Sequence, residues 1–238
     1  MNNITVVLIR PQNSANLGFI SRLLGNFDVS KLILIDPYVD LSDEETQKTA
    51  KHSVEILNNA EQFEYGYFKK LKREFDLVIG TTSVLGADYN IPRTPLTPTE
   101  YSDKFDSNQK VALVFGNEGT GLSNDEIKLC DFLVTIPTSK KYSALNISHA
   151  VSIILYELYK KHGENIVNSH IKKAENIDRE VIMKIFDDIF DNLEFSTDEK
   201  RETQSVAWKK ILEQSMMSKR EAFALIGGLK KIQEKIIE

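Results

Sequence analysis

The sequence predicts an α/β fold, in which a parallel sheet carries helices on both faces, followed by a small all-helical C-terminal module. Short segments rich in β-branched and apolar residues alternate with segments of helical periodicity over roughly the first two thirds of the chain. These apolar segments are nearly continuous, which is typical of strands in a parallel sheet covered on both faces. After a polar stretch, only helical periodicity remains. We therefore divide the chain into an α/β domain (1–162), a linker (163–176) and a helical extension (177–238).

The predicted elements follow from apolar spacing and from capping signals. Five strands are predicted, at 4–9, 32–36, 76–80, 111–115 and 132–136. Helices are predicted at 18–27, 43–59 and 143–161, with a short one after residue 123 and three more in the extension. Three Ser-x-x-Glu capping boxes, which begin at Ser42, Ser123 and Ser218, mark helix starts.

Composition excludes several classes of protein. The 238 residues are 41% hydrophobic and 27% charged, which is ordinary for a soluble globular protein. No apolar run approaches the roughly 20 residues of a membrane helix, and the N-terminus reads as a strand instead of a signal peptide. Cys130 is the only cysteine, so no internal disulfide is expected and the chain fits a reducing cytoplasm. The four histidines form no metal-ligand spacing with it, so no metal is expected.

The charge distribution leaves the role of the C-terminal helices open. The net charge of −5 argues against indiscriminate nucleic-acid binding but allows a local basic patch. In the extension, an acidic stretch is followed by a basic one that includes Lys209, Lys210, Lys219 and Arg220. These cations fit a solvated helix surface, an RNA-binding surface or a module that braces a dimer.

A glycine-rich loop is the first candidate for a binding site. Gly116, Gly119 and Gly121 directly follow a predicted strand and precede a capped helix. Ligands of open α/β sheets bind at the carboxyl ends of strands, so the loop suits a cofactor. Its spacing is neither the dinucleotide fingerprint nor a P-loop, which disfavours a nucleotide-dependent oxidoreductase. Hydroxyls at the end of another strand (Thr81, Thr82 and Ser83) are a second, weaker candidate, and the proline-rich loop at 91–98 is a third.

Single polar residues elsewhere have both structural and functional interpretations. Asn16 fits a helix cap, and Arg22 fits a surface charge on the first helix. Glu118 fits an ion-pair partner within the glycine-rich loop, and His149 fits a core or cleft histidine. None of these residues decides a function alone.

Three segments that occur in a fixed order indicate a function more specifically than any of these residues does alone. The first holds Asn16, Gly18 and Arg22, the second runs from Phe115 to Leu122, and the third runs from Ile136 to Ser148 and contains Asn146. Together they resemble the three motifs of the SPOUT methyltransferases, in the SpoU/TrmH branch, over residues 4 to about 160. The continuation of the third motif and the helical extension look like the archaeal TrmJ subgroup, which methylates tRNA in the anticodon loop at position 32.

The resemblance implies a reaction, a cofactor and an assembly. These enzymes transfer a methyl group from S-adenosyl-L-methionine to the ribose 2′-oxygen of RNA, work as cytoplasmic homodimers and thread a deep trefoil knot. The helix at 143–161 and the first helix typically form the dimer interface. The cofactor-binding residues implied here are Thr81, Thr82, Ser83, Gly116, Asn117, Gly119, Gly121, Ile136, Ser143, Ala144 and Leu145. Methylation of ribosomal RNA and a non-catalytic RNA-binding role remain alternatives to methylation of tRNA.

The same resemblance assigns the catalytic candidates Arg22, Asn16, Asn146 and Glu118. A guanidinium stays protonated at ordinary pH, so we expect Arg22 to bind a phosphate and stabilise the developing oxyanion instead of acting as a base. Asn16 is expected to orient this arginine or the ribose, and Asn146 to brace the knot and the reaction centre.

Two positions depart from the pattern of the family. Many members have serine directly before the Leu-Asn pair of the third motif, where this chain has Ala144, with Ser143 one residue earlier. The TrmJ-like subgroup usually has arginine at the position of Asn117, where this chain resembles the wider TrmH group instead.

Overall fold

The computed structural model describes residues 1–84, 95–164 and 170–237. Internal packing separates the chain into two units, Met1–Glu164 and Asn165–Glu238. The predicted proline-rich loop (91–98) and the predicted linker (163–176) lie partly outside the described residues.

Within the described residues, the first unit contains a sheet of six parallel strands in the order β3-β2-β1-β5-β4-β6. The strands are β1 (Ile4–Ile9), β2 (Lys31–Ile35), β3 (Glu61–Phe63), β4 (Leu77–Thr81), β5 (Val111–Phe115) and β6 (Phe132–Val134). The five predicted strands are confirmed to within two residues. The edge strand β3 was not predicted, because its three residues form no apolar run.

Seven α-helices are described in the first unit: α1 (Ser14–Asn26), α2 (Glu44–Ala50), α3 (Val54–Asn58), α4 (Leu71–Glu74), α5 (Pro98–Lys104), α6 (Asn124–Lys128) and α7 (Ile147–His162). The helix α5 was not predicted, although Thr97 and Glu100 form a capping box at its start. The box at Ser123 is confirmed at the start of α6.

Both faces of the sheet are buried, as the near-continuous apolar strands predicted. Along β1, Val6 and Leu8 face a core that α1, α5 and α7 complete, whereas Val7 and Ile9 face a second core. Residues of α4 and α6 complete that second core. Alternate residues of a strand point to opposite faces, so a strand covered on both sides must be apolar throughout.

The predicted helix at 43–59 is broken in two. Lys51, with φ of 54°, ends α2, and a 3-10 turn leads into α3. The capping box predicted at Ser42 was wrong, because the N–H and hydroxyl of Ser42 both donate to Asp40, at 2.8 and 2.7 Å. Asp43 is the residue before α2, and its side chain makes no capping bond.

Two helices that flank the site begin at other residues than predicted. Asn13 caps α1 by accepting the Asn16 N–H at 2.8 Å, so Asn16 lies inside the helix and is not its cap. The helix α7 begins at Ile147, after its cap Asn146, and not at residue 143. Residues 135–146 therefore form a loop, which carries most of the third motif.

Gly18 is required by helix packing. A Cβ atom at this position would lie 1.9 Å from Thr49 Oγ1 and 2.4 Å from the Thr46 carbonyl oxygen. Because a backbone oxygen cannot yield as a side chain can, α1 and α2 pack this closely only with glycine here. The glycine of the first motif thus has a structural role in this chain.

The second unit is helical over its described residues, as predicted. It contains α8 (Asn176–Asp191), α9 (Asp198–Gln214) and α10 (Lys219–Ile237). Its core includes Ile182, Leu212 and Leu229, and Phe186 stacks on Trp208 with 4.4 Å between ring centroids. The capping box at Ser218 is confirmed, because Glu221 accepts the Ser218 N–H at 2.7 Å and donates its own N–H to the Ser218 hydroxyl.

Membrane spans and metal clusters are both absent from the described residues. None of the helices in them has the length and apolar character needed to cross a membrane. Nor do these residues bring together three or more His, Cys, Asp or Glu side chains in a way that would hold a metal ion.

Candidate active site

A cavity of about 460 Å³ lies at the carboxyl ends of β4, β5 and β6. Three loops surround it: the one after β4, the glycine-rich loop after β5 and the loop before α7. All residues that the resemblance implied for the cofactor line it, namely Thr81, Thr82, Ser83, Gly116, Asn117, Gly119, Gly121, Ile136, Ser143, Ala144 and Leu145. Three of the four catalytic candidates (Asn16, Glu118 and Asn146) line it as well.

The glycine-rich loop folds back on itself. A Cβ atom on Gly116 would lie 2.2 Å from the carbonyl carbon of Gly121, and Gly121 has φ of 67°, a conformation that favours glycine. The Gly121 N–H donates to the Asn117 carbonyl at 2.8 Å. Gly119 differs, because a Cβ atom there would meet only Asn117 Oδ1 at 3.3 Å and Gln12 Nε2 at 3.7 Å. The fold therefore requires Gly116 and Gly121, whereas Gly119 is not needed for packing.

Side-chain hydrogen bonds join the three motifs. Asn146 Nδ2 donates to Asn16 Oδ1 at 2.9 Å, and Asn16 Nδ2 donates to Glu118 Oε1 at 3.5 Å. The orientation of the Asn146 amide is fixed, because its Oδ1 caps α7 by accepting the N–H and hydroxyl of Ser148. Asn16 is buried at the point where α1 meets the cavity.

Glu118 anchors the glycine-rich loop to the start of α1. Its carboxylate accepts the backbone N–H of Gln12 at 3.1 Å and that of Asn13 at 3.3 Å. These amides lie directly before α1, where the helix dipole also favours a negative charge. Glu118 therefore holds the loop in place through hydrogen bonds to these amides, and among the described residues it forms no ion pair of the kind that the sequence suggested.

Two of the three hydroxyls after β4 donate hydrogen bonds to backbone carbonyls of the protein. Thr81 Oγ1 donates to the Val114 carbonyl at 3.1 Å, and Thr82 Oγ1 donates to the Val84 carbonyl at 3.2 Å. The Thr82 N–H donates to the Val134 carbonyl at 3.1 Å. These bonds fix the loop that forms one wall of the cavity.

Arg22 does not line this cavity. It lies on the exposed face of α1 and lines two other cavities, one of about 570 Å³ beside Glu44 and Glu45 at the start of α2, and one of about 400 Å³ with His149. Asn16 and Asn146 line both the cofactor cavity and the cavity with His149, so this bonded pair separates those two. Within the described residues, Arg22 has no carboxylate within ion-pair distance.

Comparison with known proteins gives a match over most of the first unit. Residues 3–156 match the SpoU rRNA Methylase family. The chain belongs to this family. The tRNA (cytidine-2'-O-)-methyltransferase TrmJ of Methanocaldococcus jannaschii is 35% identical over 229 residues, which cover 95% of this chain and 98% of that protein.

Solved structures of SpoU proteins share the fold. The crystal structure of TrmJ from Z. mobilis ZM4 matches with a TM-score of 0.66 at 22% identity, over 96% of this chain and 98% of that one. The SpoU methyltransferase AviRb from Streptomyces viridochromogenes, solved in complex with the cofactor AdoMet, matches with a TM-score of 0.52 at 25% identity. That match covers 67% of this chain and 61% of AviRb.

An ion pair between a partly exposed arginine and a buried glutamate, next to the glycine-rich loop, was missed by sequence reasoning. Arg10 directly follows β1 and donates from its guanidinium to Glu126 Oε1 at 2.6 Å. The Glu126 side chain is 1% exposed and also accepts the Tyr65 hydroxyl at 3.0 Å and the Ser123 N–H at 2.6 Å. Burial, and then the hydrogen bond to Glu126, raises the pKa of Tyr65 above its ordinary value. Tyr65 therefore stays neutral and donates at physiological pH.

Arg10 is also strained and touches the loop directly. Its φ of 49° lies in the left-handed region, which costs about 1 kcal/mol or more in residues other than glycine. In this conformation its carbonyl accepts Asn117 Nδ2 at 2.8 Å, and Asn117 Oδ1 accepts the Gly119 N–H at 2.8 Å. Arg10 thereby connects a buried carboxylate to the loop that lines the cavity. In the sequence, Arg10 is a single arginine before a proline, and this pattern does not predict its contacts with Glu126 and with the glycine-rich loop.

Cys130 packs against the second core of the sheet, and its thiol is not a candidate catalytic group. Its sulfur would lie 2.8 Å from a Cβ atom on Gly80, in the strand β4. Burial raises the pKa of its thiol to about 12, so the group stays protonated at neutral pH and is a poor nucleophile.

We expect Arg10→Met to lower the free energy of unfolding by about 3 kcal/mol, because it leaves the Glu126 carboxylate buried without a cation. Urea unfolding followed by circular dichroism measures this change. The matched control is Lys128→Met on the same helix as Glu126, which removes an exposed pair with Asp125 and should cost less than about 1 kcal/mol. Equal losses in the two variants would show that the buried pair contributes no more than a surface pair.

Proposed function

We propose that this SpoU protein transfers a methyl group from S-adenosyl-L-methionine to a ribose 2′-oxygen of tRNA. The observation that carries the proposal is the cavity at the ends of β4, β5 and β6, where residues of all three motifs meet. The hydrogen bonds from Asn146 to Asn16 and from Asn16 to Glu118 join those motifs. The likeness to the tRNA (cytidine-2'-O-)-methyltransferase over nearly the whole chain supports tRNA as the substrate.

The cavity fits the cofactor in size and in chemistry. Its volume of about 460 Å³ lies within the range of small-molecule sites. Apolar side chains (Leu122, Val134 and Ile136) offer a surface for a base, and the surrounding loops offer backbone N–H and C=O groups. When bound, S-adenosyl-L-methionine supplies a methyl group already activated on a sulfonium. We propose that the implied cofactor residues hold it through these loops.

The protein must then align the ribose and help remove its proton. We propose that Arg22 binds the phosphate beside the reacting ribose and stabilises the developing oxyanion, while the proton leaves to phosphate or water. Arg22 suits this role because it is exposed and has no ion-pair partner among the described residues. Asn16 and Asn146 are positioning residues here, since their bonded pair holds the helix of Arg22 against the cavity. Glu118 holds the glycine-rich loop.

The active form in this proposal is a homodimer. Supporting it, α1 and α7 pack together and expose large apolar side chains, with Phe19, Ile153 and Tyr156 at 44%, 36% and 53% exposure. Arg22 and His149 lie on the same two helices. In such a dimer, Arg22 of one subunit would act at the cofactor of the other. This arrangement accounts for the position of Arg22 outside the cofactor cavity of its own subunit.

Finer assignments rest on the resemblance to the archaeal TrmJ subgroup. We propose that the methylated nucleotide is position 32 of the anticodon loop, that the enzyme acts in the cytoplasm, and that its chain carries the trefoil knot. The single cysteine and the tRNA substrate support the cytoplasm. Ribosomal RNA is the second candidate substrate, because the description of the matched family names it.

Methyl transfer to tRNA is the first test. The purified protein is incubated with labelled S-adenosyl-L-methionine and either bulk tRNA or ribosomal RNA, and the RNA is digested to nucleosides. We expect label in a 2′-O-methyl nucleoside from tRNA alone. Label from ribosomal RNA alone would support the same reaction with ribosomal RNA as the substrate instead of tRNA. Binding of tRNA without transfer would instead favour the non-catalytic RNA-binding alternative.

Arg22→Ala should lower the rate of transfer at least a hundredfold, since one preorganised group that stabilises an oxyanion contributes about 10²–10³. The affinity for S-adenosylhomocysteine, measured by calorimetry, should change less than about twofold, because the proposed partners of Arg22 are the RNA phosphate and the developing oxyanion, and neither is present in that complex. Arg73→Ala, which removes another exposed arginine from the same unit, is the control and should retain activity. An equal loss of binding and transfer would contradict the proposed role.

Gly119→Val should weaken S-adenosylhomocysteine binding at least tenfold, because Gly119 lines the cavity and a branched side chain there crowds Asn117 in the same wall. It should lower the free energy of unfolding by less than about 1 kcal/mol, because Gly119 is exposed and a Cβ atom there meets only two side-chain atoms, Asn117 Oδ1 at 3.3 Å and Gln12 Nε2 at 3.7 Å. Unaltered affinity would place the cofactor elsewhere.

This variant also tests whether Arg22 acts across the dimer. A purified heterodimer of Gly119→Val and Arg22→Ala subunits should regain about half of the wild-type rate, since one of its two equivalent sites is complete. An inactive heterodimer would show that Arg22 serves its own subunit.

A further inference from the structure

The turn before Ser143 presents an aromatic ring to solvent in a fixed position. Tyr142 is 81% exposed. Its N–H donates to the Ser139 carbonyl at 3.1 Å, and the Lys141 N–H donates to Ser139 Oγ at 3.3 Å. Thr138 Oγ1 closes the turn by donating to the Ser143 carbonyl at 3.0 Å. The turn is therefore ordered by its own hydrogen bonds, and the Tyr142 ring on it is largely exposed to solvent.

This turn lies at the mouth of the candidate active site. Ser143, the next residue, lines the cofactor cavity, and Asn146 separates that cavity from the one that Arg22 lines with His149. Consecutive Cα atoms are about 3.8 Å apart, so Tyr142 lies within roughly 15 Å of Asn146. A short stretch of one RNA strand spans that distance.

The surroundings of Tyr142 are positively charged in an acidic protein. Lys140 and Lys141 precede it, both are exposed, and neither forms an ion pair within the described residues. The chain contains 35 acidic residues, yet none occurs from Phe132 to Tyr156. The two cations are therefore not neutralised by acidic neighbours in their own segment.

We propose that Lys140, Lys141 and Tyr142 form a binding site for single-stranded RNA next to the reacting nucleotide. A base stacks on the Tyr142 ring, and the two lysines contact the flanking phosphates. Aromatic stacking combined with cations along a backbone is how proteins hold unpaired nucleotides. The inference rests on the proposed function and adds to it the contact that holds the loop of the substrate.

The test compares RNA binding with cofactor binding in the full-length protein. Dissociation constants for tRNA are measured by filter binding in the presence of S-adenosylhomocysteine, for wild type, Tyr142→Ala and Tyr142→Phe. We expect Tyr142→Ala to weaken tRNA binding roughly tenfold, in keeping with the removal of one stacked base. Tyr142→Phe keeps the ring and should stay within about twofold of wild type. Calorimetry should show the same affinity of all three proteins for S-adenosylhomocysteine.

The lysines are tested by salt dependence. The double variant Lys140→Gln/Lys141→Gln should reduce the slope of log affinity against log salt by about 0.7 for each phosphate that the protein no longer neutralises. The matched control is Lys69→Gln/Lys70→Gln, which makes the same charge change on another exposed turn of the same unit. The slope of this control should equal that of wild type.

Each outcome decides the inference. Unchanged tRNA binding by Tyr142→Ala would overturn it while leaving the proposed function intact, provided that wild type transfers methyl groups to tRNA. A parallel loss of S-adenosylhomocysteine binding would assign the turn to the cofactor site instead. Wild-type protein that neither binds nor methylates RNA would remove the proposed function, and this inference with it.

Discussion

The site depends on a chain of side-chain hydrogen bonds that joins three distant segments. Asn146 donates to Asn16, Asn16 donates to Glu118, and Glu118 accepts two backbone amides before α1. Each such bond contributes only about 1 kcal/mol net, but buried polar groups left unpaired would cost more. The bonds therefore hold three loops that the sheet alone does not position. The loops that surround the cavity lie beyond the ends of the strands, so the hydrogen bonds of the sheet do not hold them.

The second support lies on the opposite side of the glycine-rich loop. Arg10 adopts a left-handed conformation and pairs with a buried glutamate, and both features cost free energy by themselves. A strained conformation persists only where several surrounding contacts hold it in place. The Tyr65 hydroxyl and the Ser123 amide donate to Glu126, and the Asn117 side chain donates to the Arg10 carbonyl. The glycine-rich loop is therefore fixed from both sides, through Glu118 towards α1 and through Asn117 towards β1.

Most of the sheet was predictable, because strands buried on both faces are largely apolar, and five of the six strands are, apart from Thr5, Lys31 and Thr81. The edge strand β3 was not predicted, because its three residues form no apolar run and it is defined only by its pairing with β2. The break at Lys51 was missed because helical spacing continues through it. The glycine-rich loop and the hydroxyls after β4 were predicted from their positions at the ends of strands. The meeting of Asn16 with Asn146 was predicted only through resemblance to a family, since no local pattern brings these two residues together. The ion pair of Arg10 and Glu126 joins residues 116 positions apart. The capping box at Ser123 marks Glu126 only as part of a helix start, and no pattern in the sequence pairs it with Arg10.

The position of Asn117 connects one of the two departures from the family pattern to the geometry. The side chain of Asn117 donates to the Arg10 carbonyl and accepts the Gly119 N–H, so an arginine there, which has no acceptor, would lose the bond from Gly119. Arg22, Lys140 and Lys141 are exposed cations near the site. Arg22 lies on α1, outside the cofactor loops, whereas Lys140 and Lys141 lie on the same loop as Ser143, which lines the cofactor cavity. Under the proposed function, RNA contacts at Arg22 can therefore change without disturbing the cofactor cavity, whereas contacts at the two lysines are coupled to it.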